Sequence, residues 1–129
     1  MIDHIGIAVS DIERARVFYG EALKPLGYRV IATLLPDQTE SGGTVVMFGV
    51  DGQPDFVIGD NERVGEGTHV AFRADTRAQV DAFHAAALAA GGRDNGGPGL
   101  REAYGPHYYA AFVHDADGIN VEAVCHAPV

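Results

Sequence analysis

The chain repeats itself with a period of 65 residues. Residues 68–72 (THVAF) match the opening residues 3–7 (DHIGI) at this offset, so that His4 corresponds to His69. The same offset pairs apolar or small residues farther along the two copies: Phe18 with Phe83, Ala22 with Ala87, Leu23 with Leu88 and Gly27 with Gly92. An internal repeat constrains the fold before any single motif does, because each copy must form a similar unit. Since the 129 residues hold almost two periods, the sequence predicts two tandem modules.

The first copy begins with a strand followed by a helix. Residues 2–9 alternate strictly, with aliphatic side chains on one face and His4 on the other. Ser10 is predicted to cap the helix that follows, with Glu13 reaching back to it. Apolar residues at helical spacing give this helix one buried face: Ile12, Ala15, Phe18, Tyr19, Ala22 and Leu23.

Three strand patterns complete the first copy, and the second copy repeats the order. The strands of the first copy are predicted at residues 28–35, 44–50 and 53–58, with Asp51-Gly52 as a hairpin turn. In the second copy, Thr76 and Gln79 predict another capping box, and residues 91–99, with five glycines, predict a loop. Its strands are predicted at residues 68–73, 100–103, 108–113 and 119–124, with Asp117-Gly118 as the matching hairpin turn.

This order of elements predicts an α+β fold built of two tandem βαβββ modules. Each module has one amphipathic helix, which covers one face of its four-stranded sheet and leaves the other face open. Two such sheets placed side by side curl into a half-open, barrel-like cup whose walls come from both modules. We predict a single domain over residues 1–129, with modules at 1–59 and 66–125 and a linker at 60–65.

Composition disfavours several classes of partner and indicates a cellular compartment. The chain has 9 Lys and Arg against 18 Asp and Glu, and this net charge of −9 disfavours nucleic acids and anionic membranes. No apolar run reaches the ~18 residues of a membrane span. The N-terminus lacks a basic segment followed by an apolar one, so no signal peptide is expected and a cytoplasmic location is predicted. The single cysteine, Cys125, permits no internal disulfide and suits that compartment.

Three polar residues on predicted strands indicate a metal site. His4 and His69 are equivalent in the two copies, and Glu122 lies in an apolar strand, where an ionised group is costly unless it has a partner. Two imidazoles and one carboxylate that converge in the cup suit a divalent transition metal, with positions left for water or substrate. The alternative is that the histidines are polar fillers on strand faces. The repeat favours the metal, because it places two of the three ligands at equivalent positions.

Several motifs along the whole chain carry a family resemblance. They are residues 3–11 (DHIGIAVSD), 18–19 (FY), 67–72 (GTHVAF), 105–112 (GPHYYAAF) and 115–122 (DADGINVE). With these motifs the sequence resembles small glyoxalase-like members of the vicinal oxygen chelate superfamily, which includes glyoxalase I, bleomycin resistance proteins and extradiol dioxygenases. The resemblance places the family's metal ligands on His4, His69 and Glu122. It implies a divalent transition metal: Zn, Ni, Mn, Fe or Co.

The resemblance also implies a chemistry. It points to a metal-dependent enzyme, of the lyase, isomerase or dioxygenase type, that acts on a small molecule with two adjacent oxygens and stabilises an enediolate-type anion. Glyoxalase I has a fourth ligand, a Glu on the last strand of the first module. The repeat places Val57 at the position of this fourth ligand, and neither Val57 nor its neighbour Phe56 can bind a metal. The nearest acidic residue, Asp55, is two residues out of register. Glu122 is therefore expected to act as both ligand and catalytic base, which weakens a specific assignment to lactoylglutathione lyase.

Residues around the glycine-rich loop are candidates for substrate binding. Tyr104, His107 and Tyr109 are expected to shape the pocket, although capping a turn is an equal alternative for His107. Arg101 follows the loop and is a candidate partner for an anionic group of the substrate.

A non-catalytic binding protein is the competing hypothesis for function. Bleomycin resistance proteins use this fold to hold a planar, drug-like ligand without transforming it. The set of His4, His69 and Glu122 favours the enzyme, because a pure binder has no reason to retain three metal ligands.

The resemblance further implies a homodimer. The two modules can pair within one chain or exchange between chains, and a linker of this length permits either arrangement. The exchanged form is favoured. In that form the partner subunit's His4 would meet His69 and Glu122, so that the site is shared between two chains.

Overall fold

The computed structural model describes residues 2–65 and 68–129. Within these residues the chain forms two α-helices and nine β-strands. In chain order they are β1 (Ile5–Ala8), α1 (Ile12–Ala22), β2 (Arg29–Leu34), β3 (Val45–Val50), β4 (Gln53–Gly59), β5 (His69–Arg73), α2 (Arg77–Ala89), β6 (Arg93–Asp94), β7 (Gly99–Leu100), β8 (Tyr109–His114) and β9 (Asn120–Cys125). Two short 3-10 helices lie at Lys24–Leu26 and Pro36–Gln38. None of the helices in the described ranges is both long and apolar enough to span a membrane.

The strands form two mixed sheets, one from each half of the chain. The first has the order β1-β4-β3-β2. The second has the order β5-β9-β8-β6, and β7 also pairs with β8. The predicted α+β architecture is confirmed, and the sheets are not closed into a barrel. The predicted start of the second module, at residue 66, lies outside the described residues.

The pairing register repeats with the same period as the sequence. In the first sheet Ile5 pairs with Phe56, and in the second Val70 pairs with Val121, 65 residues later in each case. Both of these strand pairs are parallel. The antiparallel pairs follow the same rule, because Met47 pairs with Val57 and Phe112 pairs with Glu122. Val57 therefore occupies, in the first sheet, the place that Glu122 occupies in the second.

The two helix caps differ from each other. Thr76 accepts a hydrogen bond from the backbone N–H of Gln79 and begins α2 as predicted, with the Gln79 side chain accepting from the backbone N–H of Thr76. The prediction of Ser10 as the cap of α1 was wrong, since Asp11 accepts from Arg14 N–H instead. Ser10 is engaged elsewhere: its N–H and Oγ both donate to the Asp117 carboxylate, at 3.0 and 2.5 Å.

The two predicted hairpin turns also differ. Asp51 and Gly52 both have positive φ, 52° and 76°, as a two-residue turn that follows the strand twist requires. The second turn is longer: residues 115–119 connect β8 to β9, with Gly118 in the left-handed region at φ 82°. The Asp115 carboxylate stabilises it by accepting the backbone N–H groups of Asp117 and Ile119, both at 2.9 Å.

The glycine-rich loop is more ordered in secondary structure than the sequence predicted. Within residues 91–99, where a loop alone was expected, β6 pairs with β8 through Arg93 and His114. A second short pairing joins Gly99 to Ala110, so the predicted strand at 100–103 starts earlier and ends at Leu100. The edge of β8 has backbone N–H and C=O groups that need hydrogen-bond partners, and neighbouring segments of the chain can pair with them whatever their side chains.

One hydrophobic core joins the two halves of the chain. Phe56 of the first sheet packs edge-on against Phe72 of the second, with ring centroids 5.0 Å apart. Phe56 also contacts Tyr19 of α1 at 5.0 Å, and α1 packs on α2. The helix-covered faces of both sheets therefore share their core. The opposite faces of the sheets remain open to solvent or to a partner.

A buried hydrogen bond links the first helix to the β8–β9 turn. The Tyr19 hydroxyl donates to the Asp115 carboxylate over 2.7 Å, and both side chains are buried. Removing the hydroxyl in Tyr19→Phe is expected to lower the free energy of unfolding by about 1.5–3 kcal/mol, the usual worth of a hydrogen bond to a charged group. Urea unfolding at neutral pH measures this loss. Tyr28→Phe is the matched control, because the Tyr28 hydroxyl donates to the exposed Asp55 over 3.0 Å. It should cost less than about 1 kcal/mol.

The same bond predicts a pH dependence. Burial first, and then the negative charge of Asp115, raises the pKa of Tyr19 well above its ordinary value. An unfolded tyrosine titrates at about pH 10. Because the pKa is higher in the folded state, the neutral phenol contributes its full stability below about pH 10, and this contribution is lost as the pH rises further. The decline above about pH 10 should be smaller in Tyr19→Phe. Equal declines in the two proteins would contradict this role for Tyr19.

Candidate functional site

Each sheet has a pocket on its open face. On the second sheet an open pocket of about 430 Å³ is lined by His69, Tyr104, Tyr108, Phe112, Asn120 and Glu122. On the first sheet a pocket of about 340 Å³ is lined by Asp3, His4, Gly6, Met47, Pro54 and Val57. The two pockets correspond through the repeat, because Val57 lines the first and Glu122, at the equivalent position of its module's last strand, lines the second. Only the pocket of the second sheet holds a carboxylate at that position.

Glu122 is the chemical centre of the second pocket. It is only 1% exposed, and both of its carboxylate oxygens have partners. Oε1 lies 2.8 Å from Nε2 of His69, whose side chain is 48% exposed and reaches the pocket. Oε2 accepts a hydrogen bond from the Tyr108 hydroxyl. A buried carboxylate needs such partners, since an unpaired charge inside a protein is strongly unfavourable.

Tyr108 is a residue of this site that was not among the residues predicted from the sequence. Burial and the bond to Glu122 raise its pKa to about 12, so its hydroxyl remains a donor at neutral pH. Strand periodicity could have identified it. Phe112 pairs directly with Glu122, and residues two and four positions along a strand share a face, so Tyr108 lies on the side of Glu122.

The other predicted ligand, His4, lies apart from this pair. It is in the pocket of the first sheet, where its Nδ1 is 2.7 Å from Oδ1 of Asp3. The structure thus brings His69 and Glu122 together and leaves His4 on a different face. Among residues 2–65 and 68–129 of a single chain, no three His, Cys, Asp or Glu side chains are grouped closely enough to hold a metal ion.

Of the predicted substrate residues, Tyr104 lines the second pocket and Arg101 lies against Phe112, which also lines it. Tyr104 lines it with 69% of the residue exposed, and its ring packs edge-on against Tyr108 at 5.3 Å. Arg101 stacks its guanidinium 5.4 Å from the centre of the Phe112 ring and donates to the Gly97 carbonyl over 2.8 Å. An aromatic wall and a cation therefore flank the buried carboxylate.

The remaining two predicted substrate residues are placed differently. His107 is exposed in the turn that precedes β8. Tyr109 faces α2 rather than the pocket, because it follows Tyr108 directly and successive strand residues point to opposite faces. Its hydroxyl donates to Asp81 over 2.6 Å, and Arg77 lies over its ring.

Comparison with known sequences identifies the family. Residues 1–123 match the sequence profile of the Glyoxalase/Bleomycin resistance protein/Dioxygenase superfamily. The chain belongs to this superfamily. The resemblance predicted from the motifs is thereby confirmed. This glyoxalase-superfamily chain is also 32% identical over 122 residues to the Bacillus subtilis protein YqjT, an alignment that covers 94% of this chain and 95% of YqjT.

Solved structures of the superfamily share the fold. A glyoxalase/bleomycin resistance protein from Albidiferax ferrireducens has a TM-score of 0.76 at 27% identity, with 97% of this chain and 98% of that chain covered. A mutant of the fosfomycin resistance protein FosX from Listeria monocytogenes, complexed with Mn(II) and dihydroxypropylphosphonic acid, has a TM-score of 0.69 at 17% identity. That match covers 98% of this chain and 90% of FosX, and it shows likeness of fold alone.

Proposed function

We propose that this superfamily member is a metal-dependent, glyoxalase-like enzyme that acts on a small molecule with two adjacent oxygens. The observation that carries the proposal is the pairing of His69 and Glu122 on the floor of an open pocket, with Nε2 and Oε1 2.8 Å apart. One imidazole and one carboxylate side by side are common ligands of divalent transition metals. The pocket leaves room for a ligand above them.

The donor set fits a metal once a second subunit is considered. His69 and Glu122 supply two donors, and structural and catalytic sites in proteins usually take at least three. In a homodimer, each cup can be built from the first module of one subunit and the second module of the other. The partner subunit's His4 then supplies the third donor. Two features support this arrangement: His4 is 61% exposed at its side chain, and it belongs to the open face that corresponds, through the repeat, to the face of Glu122.

The residues of the pocket have distinct roles in this proposal. A divalent metal, when bound, supplies Lewis-acid stabilisation of negative charge on the two substrate oxygens, as in an enediolate. Glu122 serves as ligand and as the base that removes a substrate proton, because Val57 leaves the equivalent position of the other module without a carboxylate. Tyr104 bounds the substrate, and Arg101 binds an anionic group at the rim. FosX supports the metal, since that relative of the same fold is complexed with Mn(II).

A non-catalytic binding protein of the bleomycin resistance type is the second candidate. Both Glu122 oxygens already have hydrogen-bond partners within the chain, so the carboxylate does not require a metal for its burial. The aromatic rings of Tyr104 and Phe112 would then hold a planar ligand.

Metal content separates the two candidates. The protein, purified without chelator and without a nickel column, should contain or take up a divalent metal in nearly stoichiometric amount. Elemental analysis of the purified protein and after incubation with Mn, Fe, Ni, Zn or Co measures this. Glu122→Gln is the comparison variant, and it should take up much less because it removes the charged donor. A wild-type protein that takes up none of the five metals would favour the binding protein.

A further inference from the structure

We infer that Tyr108 is a positioning residue that holds the Glu122 carboxylate with Oε1 turned toward His69. The inference rests on the proposed function in so far as the pair binds a metal. Its structural basis is independent of the metal: the Tyr108 hydroxyl donates to Oε2, and this leaves Oε1 as the oxygen that lies 2.8 Å from Nε2 of His69.

A glutamate needs such a partner to serve as a ligand. Its side chain loses roughly 1.5–2 kcal/mol of rotamer freedom when it is fixed in one orientation. A donor on the second oxygen fixes the carboxylate before the metal arrives, so that the metal does not bear this cost. Groups that orient metal ligands in this way typically contribute about 10–100-fold to metal affinity.

Tyr108 is itself held in place. Its ring packs edge-on between Tyr104 and His126, with both centroid distances 5.3 Å. Its backbone carbonyl accepts the N–H of Arg101 over 2.8 Å. The hydroxyl is thereby aimed at Glu122 from a fixed point, across 14 residues of sequence.

The chain supplies matched controls for this hydroxyl. Tyr104 lies in the same aromatic cluster, and Tyr109 is the next residue, yet the Tyr109 hydroxyl donates to Asp81 on α2. Tyr108→Phe, Tyr104→Phe and Tyr109→Phe each remove one phenolic oxygen and keep the ring. Only Tyr108→Phe removes a bond to Glu122.

The test compares the three variants with wild type by calorimetric titration with Mn²⁺ and with Zn²⁺. Tyr108→Phe should lower the affinity about 10–100-fold, while Tyr104→Phe and Tyr109→Phe leave it within about 2-fold. Metal binding to Glu122 should also produce a tyrosine difference spectrum in the near ultraviolet. That signal should persist in the two controls and disappear in Tyr108→Phe. Wild-type affinity in Tyr108→Phe would overturn the inference.

A metal-free measurement keeps this test separate from that of the proposed function. In the metal-free protein, the ¹⁵N resonances of the His69 ring report its contact with Glu122. Tyr108→Phe should shift them, and Tyr104→Phe should not. If wild type binds no metal, the proposed function fails, and unchanged His69 resonances would then overturn the inference on their own. If Tyr108→Phe does not fold, a measurement on the wild-type protein still tests the inference. Its Tyr108 hydroxyl proton should exchange slowly enough to be seen and should be lost in Glu122→Ala, and its absence from wild type would overturn the inference.

Discussion

Replacing His69 with alanine is expected to remove most of the divalent-metal affinity and to leave the fold in place. His69 contributes one of the two donors that meet in the pocket. The loss of metal affinity in His69→Ala should therefore exceed the roughly 100-fold loss caused by removing a residue that only orients a ligand. The side chain is half-exposed on the open face and lies outside the shared core. The fold should therefore tolerate the change, although Oε1 of Glu122 then has no imidazole as its partner.

Calorimetric titration with Mn²⁺ or Zn²⁺ measures the affinity, and circular dichroism during urea unfolding checks the fold. His107→Ala is the matched control, because it removes an exposed imidazole that does not contact Glu122. We expect it to bind metal as wild type does. Undiminished metal binding by His69→Ala would show that the ligand assignment is incorrect.

Mixing two inactive variants is expected to restore metal sites that neither variant has alone. If the partner subunit's His4 completes the site, a dimer of one His4→Ala chain and one Glu122→Ala chain contains one intact site. Random exchange between two-fold dimers then restores about a quarter of the wild-type sites. Metal content and activity after co-refolding measure the recovery.

The chain also provides a control for that experiment. His69 and Glu122 are supplied by the same subunit, as their 2.8 Å separation shows. Mixing His69→Ala with Glu122→Ala therefore leaves a lesion in every site, shared or not, and should restore nothing. Equal results from the two mixtures would contradict a shared site. A protein that is monomeric at micromolar concentration by light scattering would contradict it as well.

The architecture explains why a second subunit is proposed. The helix-covered faces of the two sheets meet through Phe56 and Phe72, and this packing joins the two halves of the chain in one core. The open faces, with His4 on one and Glu122 on the other, form separate pockets. An open face that carries apolar groups such as Met47 and Val57 gains stability when a partner covers it.

Local pattern and the repeat determined much of this structure. The 65-residue offset predicted the two-module order, and the strand pairs of the structure repeat at the same offset, because equivalent residues in equivalent modules make equivalent pairs. Alternation on strands and a capping box at Thr76 depend on neighbours within a few residues, so they can be read directly from the chain. The placement of a carboxylate in an apolar strand also identified Glu122 as a group that must have partners.

Tertiary structure alone decided the features that depend on residues distant in sequence. Ser10 does not cap α1 as predicted, because it donates hydrogen bonds to the Asp117 carboxylate, 107 residues away. Parts of the glycine-rich loop pair with the edge of β8 and form β6 and β7. The alternation of side chains along the strand places Tyr108, and not Tyr109, beside Glu122. Periodicity describes which way a side chain points along its own element. Only the packing of elements decides which donor and which acceptor arrive at the same point in space.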